Sequence, residues 1–393
     1  MKPFVSRRAH RPHATLAVTS ALLCGIALTL TACGSDGSSD GDTGGTAGTS
    51  GAASANPELD AAMKPVAGYT LPSHPVDAGS LAGKTVYYIP ITAQTPAFKM
   101  TSDAMTDALG VLGMKLQICD GAANPSSTSA CITQAIGAGA AGIVTDAIPY
   151  GFAANALSQA RAEGLPVLIT DQLEDPAHPA GKDLAYMPGP GTEMLETIAR
   201  WIIRDSGGKA VVVANEVTDN QSAIDYMEAA LKVFGDDCPA CKVEVNKISA
   251  ANFPQVAPAT SAAITRTPGT DYVLSEFDAF LQPTLGGIQA AGKGASIKLV
   301  STAATLSSLQ AMAKGQPPVA DVGQSLPFQG WVNTDAVVRL ILGQEVPEYD
   351  IPIRLVTTEN VDELDLTAEA AASGAWFGPT DFTDGFKTLW GVS

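Results

Sequence analysis

The 393-residue chain is poor in charged residues, and in basic ones above all. Charged residues make up 16% of it, with 23 Lys and Arg against 40 Asp and Glu, so the net charge is -17 at pH 7. A surface of that sign repels phosphate backbones, which excludes nucleic acid as an expected partner. Hydrophobic residues reach 46%, enough for a sizeable core, and the length favours two domains over one.

Histidine and catalytic motifs are also scarce. Beyond the N-terminal region only His74 and His178 remain, both in loop-like stretches, and no Gly-x-Ser-x-Gly motif is present. A catalytic triad or a histidine metal site is therefore not supported. Residues 287–293 fit the start of a phosphate-binding loop, but Gly294 replaces the required Ser or Thr, so we interpret this segment as a helix end. We expect a protein that is not an enzyme and that uses no metal and no cofactor.

The N-terminal segment has the pattern of an export signal. Residues 1–13 carry four basic side chains, Ala14 to Ala32 is almost wholly apolar, and Leu30-Thr31-Ala32-Cys33 resembles a bacterial lipobox. We therefore predict a lipoprotein signal peptide at 1–32 and a lipid on Cys33 that holds an extracytoplasmic protein at the cell membrane. An uncleaved transmembrane helix is the alternative reading. Residues 33–80 are predicted to form a flexible Gly/Ser-rich tether and a leader.

Four cysteines follow Cys33. An even number in an exported chain favours disulfides, and proximity in sequence favours two local pairs. The predicted bonds are Cys119–Cys131 and Cys238–Cys241. Cys238-Pro-Ala-Cys241 also has redox-motif spacing, but the two preceding aspartates disfavour the thiolate that such chemistry needs. We favour structural disulfides.

From residue 81 short apolar runs alternate with helical patterns, and the series restarts after residue 187. Near-continuous apolar strands separated by helices indicate parallel sheets covered on both faces. The predicted strands are 84–91, 114–119, 141–145, 165–170, 183–187, 209–214, 243–248, 272–275 and 297–301. The predicted fold class is α/β, with two doubly wound parallel-sheet lobes joined by a multi-strand hinge.

The segments after these strands carry the candidate binding residues, because ligands of open parallel sheets lie beyond the carboxyl ends of the strands. Aromatic faces with a few hydrogen-bonding groups suit a small polyhydroxylated or polar aromatic ligand. Any single polar residue here can equally be a cap or turn residue. The candidates are Gln94, Phe98, Asp146, Tyr150, Asp171, Gln172, Gln221, Phe277 and Asp278.

An ordered set of segments resembles the ribose-binding-type, type I periplasmic binding proteins of sugar ABC transporters. The segments are Thr95-Pro96-Ala97-Phe98, the strand 166–170 ending at Asp171, Phe277-Asp278 before a helix ending at Gly292, Gln324 before Leu326-Pro327, and the tail stretches 356–360 and 386–391. The resemblance covers residues 84–393. It implies the type I periplasmic binding protein fold, with crossovers near 187–191, 322–327 and 346–352.

The resemblance also implies roles and lobe boundaries. Phe98 would stack on the ligand, Asp171 would accept its hydroxyls, and Gln324 would reach it from the hinge. The N-terminal lobe would comprise 81–187 plus 325–348, and the C-terminal lobe 188–324 plus 349–393. Gln172 stands where the family often has Arg, and Phe277 where it has Asn. These departures favour a less polar, more aromatic pocket than that of a simple pentose receptor.

These observations predict a lipid-anchored solute receptor that delivers a sugar or sugar-like ligand to ABC permease subunits by lobe closure. We expect a monomer. Two alternatives stay open: a receptor that signals to a membrane sensor, and a secreted carbohydrate-active enzyme using Asp171 and Asp278 as its carboxylate pair.

Overall fold

The computed structural model describes residues 56–392, and these residues belong to one compact unit. The predicted signal peptide, Cys33 and the tether up to residue 55 lie outside the described residues. The strands are β1 (Thr85–Pro90), β2 (Lys115–Ile118), β3 (Gly142–Asp146), β4 (Val167–Thr170), β5 (Leu184–Met187), β6 (Val211–Val217), β7 (Lys242–Ile248), β8 (Tyr272–Ser275), β9 (Lys298–Thr302), β10 (Ala320–Gln324) and β11 (Ile353–Thr357). The helices are α1 (Pro57–Ala62), α2 (Pro96–Val111), α3 (Pro125–Gly137), α4 (Ala154–Ala162), α5 (Gly191–Asp205), α6 (Gln221–Asp237), α7 (Val256–Arg266), α8 (Leu281–Ala290), α9 (Leu306–Ala313), α10 (Leu326–Ile341), α11 (Ala368–Ser373) and α12 (Phe382–Leu389).

Two sheets form the cores of two lobes. The N-terminal sheet has the order β2-β1-β3-β4-β5 and is parallel throughout. The C-terminal sheet has the order β11-β10-β9-β8-β6-β7, and β11 alone runs antiparallel to its neighbour. The prediction of two parallel-sheet α/β lobes is thus confirmed, while the antiparallel edge strand was not foreseen.

Helices cover both faces of each sheet, which is why the strands carry apolar residues on both sides. In the N-terminal lobe α2 and α10 pack over one face, and α3 and α4 over the other. In the C-terminal lobe α5 and α6 pack over one face, and α7 and α8 over the other. β1, β3, β4 and β8 are buried almost throughout.

Prolines and polar caps determine where the helices facing the cleft begin. Pro96 and Pro327 occupy the first turns of α2 and α10, where a missing N–H costs nothing. Asn124 and Asn220 precede α3 and α6, and their side chains accept backbone N–H groups of the first turn. Each helix therefore starts within a few residues of a strand end.

The leader, as far as residues 56–80 describe it, is part of the folded body. Leu59 of α1 is buried in the core of the C-terminal lobe, and Val76 and Leu81 are buried in that of the N-terminal lobe. Between them Tyr69 stacks on Phe328 of α10 with ring centroids 4.2 Å apart. Apolar side chains at these positions anchor a segment whose sequence has no helical or strand periodicity.

The C-terminal segment also departs from the predicted boundaries, which assigned 349–393 to the C-terminal lobe. Trp376 and Phe377 pack with α9 and β11 in that lobe, but Phe386 and Trp390 are buried in the core of the N-terminal lobe. The tail runs beside the leader, since Val66 N–H donates to the Phe377 carbonyl at 2.7 Å and Val76 N–H to the Leu389 carbonyl at 2.9 Å. Five chain segments therefore join the lobes: leader, tail and the three crossovers at 188–190, 325 and 342–352.

A buried carboxylate on α10 holds these segments together. Asp335 accepts hydrogen bonds from Arg339 Nε at 2.7 Å, Tyr349 Oη at 2.6 Å and Trp390 Nε1 at 2.7 Å. Arg339 also donates to the His74 carbonyl at 2.8 Å. One fully buried ion pair thus links α10 to a crossover, the tail and the leader, and its four contacts offset the cost of burying the charges.

Both predicted disulfides are present. Cys119–Cys131 joins the end of β2 to α3, and Cys238–Cys241 closes the turn between α6 and β7. Gly292 follows α8 with a φ of +70°, in accordance with the interpretation of residues 287–293 as a helix end. No helix among residues 56–392 has the length and apolarity needed to cross a bilayer.

We predict that Phe386→Ala lowers the free energy of unfolding by about 3–5 kcal/mol, because the ring is fully buried among Phe328, Trp331 and Trp390. Urea unfolding measures the loss. Thr388→Ala, at an exposed position of the same helix, is the matched control and should change stability by less than about 0.5 kcal/mol. Equal effects of the two substitutions would mean that the tail does not belong to the N-terminal core.

Candidate ligand-binding site

A cleft of about 400 Å³ lies between the carboxyl ends of the two sheets. A volume of that size suits a small organic ligand. Residues that follow strands of both lobes line it, together with helix starts and hinge residues. The N-terminal lobe contributes Ile91, Thr92, Phe98, Ala147, Phe152, Asp171 and Gln172, the C-terminal lobe Val217, Asp219, Tyr226, Phe277, Asp278, Phe280, Ala303 and Thr305, and the hinge Pro188 and Gln324.

Strained backbone turns concentrate at this cleft. Six residues other than glycine have positive φ in the described chain, and five line the cleft or its mouth: Ala122, Ala123, Ala147, Asp171 and Ala303. The left-handed region disfavours a side chain, at a cost on the order of 1 kcal/mol per residue. Strain held at one place by the surrounding fold is typical of binding sites, and here it sets the direction of Asp171.

Asp171 belongs to a buried carboxyl pair at the floor of the cleft. Tyr88 Oη donates to Asp146 Oδ2 at 2.5 Å, and Gln329 Nε2 donates to Asp171 Oδ1 at 2.8 Å. Gln324 in turn donates to Gln329. Burial, reinforced by the charge of Asp146, raises the pKa of Asp171 well above its ordinary value, and burial also raises the pKa of Asp146. The pair therefore retains a proton to a higher pH than an isolated carboxyl group would.

The hinge is shaped around this carboxylate. Gly189 lies in the first crossover with a φ of +64°, and a Cβ at this position would overlap Asp171 Oδ1. Glycine is therefore required twice, for its backbone conformation and for the close approach. Asp171 thus contacts the first of the crossovers that join the two lobes.

A second carboxyl pair lies on the side of the C-terminal lobe. Asp278 Oδ2 accepts the Thr305 N–H at 2.8 Å and its hydroxyl at 2.7 Å, while Asp278 Oδ1 is buried without a partner. Behind it Asp321 accepts hydrogen bonds from Ser308 Oγ and the Ala304 N–H. Burial, with the charge of Asp278, raises the pKa of Asp321 well above its ordinary value.

Glu276, the last residue before Phe277, adds a further buried acid beneath the cleft. Its Oε2 accepts the Val217 N–H at 2.5 Å, and its Oε1 has no partner. Burial raises its pKa well above the ordinary value, and the charge of Glu216 adds to the shift. Carboxyl groups thus follow strands in both lobes.

The two lobes touch beside the cleft through a small hydrogen-bonded contact. Ser222 Oγ, on the first turn of α6, accepts the Leu173 N–H at 2.9 Å and donates to Gln172 Oε1 at 3.2 Å. Tyr226, one turn later, donates to the carbonyl of Pro188 at 3.0 Å. These bonds join the N-terminal lobe and the hinge to α6, so this arrangement has the lobes in contact.

Six of the residues predicted from the sequence line the cleft. Five of them are partly or fully buried strand-end residues, and the sixth, Phe98, lies on the first turn of α2. They are Phe98, Asp171, Gln172, Phe277, Asp278 and Gln324.

The other four do not line it, and for two of them the local helix geometry is the reason. Tyr150 starts a 3₁₀ turn that directs its ring into the core against His178, so Phe152, two residues later, lines the cleft instead. Gln221 is exposed on α6 and donates to Asp225, whereas Ser222 and Tyr226 face inward.

Gln94 and Asp146 are near the cleft without lining it. Gln94 is exposed at the mouth, where its Nε2 lies 3.5 Å from Asp120 Oδ2. Asp146 is fully buried beneath Asp171, so it acts on the site only through that neighbour.

Sequence reasoning missed Tyr226, Asp219 and Gln329. Tyr226 follows Ser222 by four residues, so helical spacing from a strand-end residue was the signal that could have found it. Asp219 lies in the loop after β6, and its carboxylate accepts the Ala250 N–H and the Ser249 hydroxyl. Gln329 lies near the start of α10, five residues after Gln324 ends β10, and only the fold brings it to Asp171.

Comparisons with known proteins agree with this architecture. A profile of the periplasmic binding protein domain matches residues 86–345, more than half of the chain. No curated protein sequence matches it.

Solved structures share the fold at low identity. The 5-methylthioribose transporter solute-binding protein of Thermotoga lettingae has a TM-score of 0.66 and 18% identity, over 81% of this chain and 99% of that one. A Mycobacterium smegmatis protein in complex with β-D-fucofuranose has a TM-score of 0.62 and 19% identity, over 75% and 98%. An Agrobacterium vitis ABC transporter solute-binding protein bound to α-D-tagatopyranose has a TM-score of 0.64 and 18% identity, over 72% and 97%. At such identities the likeness establishes the fold.

We predict that Gly189→Ala destabilises the protein more than Gly164→Ala does. Both positions have positive φ, so each alanine loses about 1 kcal/mol through backbone strain, but only the Gly189 Cβ meets another atom, Asp171 Oδ1. That overlap should add about 1–3 kcal/mol, measured by urea unfolding. Equal losses for the two variants would show that Asp171 moves away from the hinge without cost.

Proposed function

Because the chain belongs to the periplasmic binding protein domain family, we propose that it is the extracytoplasmic solute receptor of an ABC importer. Its ligand is a sugar or a sugar-like molecule with an apolar or aromatic part. The observation that carries the proposal is the cleft itself: strand ends of both lobes and residues of the hinge line one cavity of about 400 Å³. A molecule bound there contacts both lobes at once, so it favours their closed arrangement.

The lining matches such a ligand in chemistry. Asp171, Gln172 and Gln324 present acceptors and donors at the floor, suited to hydroxyl groups. Phe98, Phe152, Phe277 and Phe280 present rings on the walls, suited to the apolar face of a sugar ring or to an apolar substituent. One or two ring contacts with four to six hydrogen bonds would support a dissociation constant of about 1 µM, roughly -8 kcal/mol.

The arrangement of the acids suits ligand binding without catalysis. Asp171 adjoins Asp146 and Asp278 adjoins Asp321, so each candidate catalytic carboxylate of the enzyme alternative belongs to a separate buried pair. Both are held by hydrogen bonds from Gln329 and Thr305. These contacts suit rigid acceptors that bind hydroxyl or amine groups. The closed receptor would then be recognised, as a monomer, by the permease subunits.

The proposal is tested by screening sugars, polyols and nucleosides for thermal shifts, followed by small-angle X-ray scattering with each compound that shifts the melting temperature. We expect at least one compound to raise the melting temperature and to reduce the radius of gyration. Asp171→Ala should abolish that shift while the free protein melts within a few degrees of the parent. Asp236→Ala, an exposed acid on α6, is the control and should bind normally. Unchanged melting and scattering with every compound would refute the proposal.

Membrane attachment is a separate part of the proposal. The lipobox-like ending at Cys33 and the Gly/Ser-rich stretch after it support a lipid anchor that leaves the folded body free of the bilayer. Cys33→Ser should release the protein from membranes into the soluble fraction, as seen by fractionation and immunoblotting. Retention of the variant in the membrane fraction would instead support the transmembrane alternative.

A further inference from the structure

The cleft contains acids and no bases. Asp171, Asp219 and Asp278 line it, Asp120 lies at its mouth, and no Lys, Arg or His is among the described residues that line either place. Hydrogen bonds from two backbone N–H groups and Gln94 outweigh the effect of burial and lower the pKa of Asp120, which keeps the mouth negatively charged. The site therefore has an electrostatic preference of one sign.

The arginines of the described chain are engaged elsewhere. All six arginines of residues 56–392 pair with carboxylates away from the cleft: Arg161, Arg200, Arg204, Arg266, Arg339 and Arg354. None of the ion pairs within residues 56–392 involves the three acids that line the cleft. Within residues 56–392 no basic side chain lines the cleft beside these acids.

Asp278 is the acid of the C-terminal lobe that follows β8 and lines the cleft. Asp278 Oδ2 holds both hydrogen bonds from Thr305, whereas Asp278 Oδ1 is buried and accepts none. Asp321 lies beside it, and burial with the charge of Asp278 raises the pKa of Asp321 well above its ordinary value. Asp321 therefore favours its neutral form and leaves Asp278 as the acid of this pair that faces the cleft.

The aromatic walls favour the same charge. The faces of Phe98, Phe152, Tyr226, Phe277 and Phe280 carry partial negative charge and attract cations. The cation–π contact found among the described residues is that of Lys298 with Tyr272, which lies outside the cleft. Within residues 56–392 no group of three or more acidic, His or Cys side chains is arranged to hold a metal ion, so an organic cation fits better.

Lobe closure strengthens the preference of the cleft for a cationic ligand. Closure removes water from Asp278, and a carboxylate that loses water without a counter-charge is strongly disfavoured. We propose that the ligand carries an ammonium group, as in an amino sugar or an amino polyol, and that this group binds Asp278 while the apolar face of the ligand lies on the rings. This inference rests on the proposed receptor function and specifies its substrate class.

The experiment compares compounds that differ in charge but not in shape. The probes are D-glucosamine, D-glucose and D-glucuronate, and then N-methyl-D-glucamine with D-glucitol, by isothermal titration calorimetry and thermal shift at pH 7. The ammonium member of at least one set should bind at least tenfold more tightly than its neutral counterpart, which corresponds to about 1.4 kcal/mol. D-glucuronate should not bind.

A variant then tests whether Asp278 is the residue that binds the ammonium group. Asp278→Asn keeps the shape, and it should lower the affinity for the ammonium compound at least tenfold more than it lowers the affinity for the neutral counterpart. Asp236→Asn carries the same charge change on the exposed face of α6 and should alter neither affinity. If Asp278→Asn does not fold, as judged by melting, the exposed Asp219→Asn takes its place with a smaller effect in the same direction.

The outcomes separate this inference from the receptor proposal. A neutral sugar that closes the lobes and binds as tightly as its amine counterpart overturns the ammonium inference but leaves the receptor function intact. Equal weakening of both compounds by Asp278→Asn, or no binding of any ammonium probe at millimolar concentration, also overturns it. Only if no compound of any charge closes the lobes do both proposals fail.

Discussion

Parallel strands place all their carboxyl ends at one edge of a sheet, and this constraint organises the whole molecule. Each lobe has one such edge, and the crossovers bring the two edges together on opposite sides of one cleft. Everything proposed to contact a ligand follows from that arrangement. Asp171 follows β4, Phe277 follows β8, and Gln324 ends β10 at the point where the chain returns to the N-terminal lobe.

The same constraint explains why the cleft is costly to build. Residues that leave a strand and turn at once into a helix have little choice of backbone conformation, so left-handed residues other than glycine gather there. Buried acids gather there as well, and several keep oxygens without donors. Large apolar cores, together with buried pairs such as Asp335 with Arg339 away from the cleft, offset the free-energy cost of this backbone strain and of these unpaired oxygens.

Sequence patterns predicted the parts of the structure that local physics decides. Apolar runs such as 84–91 are strands because both faces are covered, and Asp171 is in the cleft because it ends such a run. The patterns failed where a single turn or a distant partner decides. The 3₁₀ turn at 150–152 exchanges Tyr150 for Phe152, and Gln329 reaches Asp171 across 158 residues of sequence. The paths of the leader and the tail could not be predicted from periodicity, because their burial comes from packing against α10 and β11.

The paths of the leader and the tail have a practical consequence. The described chain starts at α1 on the C-terminal lobe and ends just after α12 on the N-terminal lobe, so its two ends are attached to different lobes. Closure of one lobe onto the other would change the distance between those ends. Fluorescent labels attached near Asn56 and Val392 would therefore report ligand binding as a change in energy transfer, without altering any residue that lines the cleft.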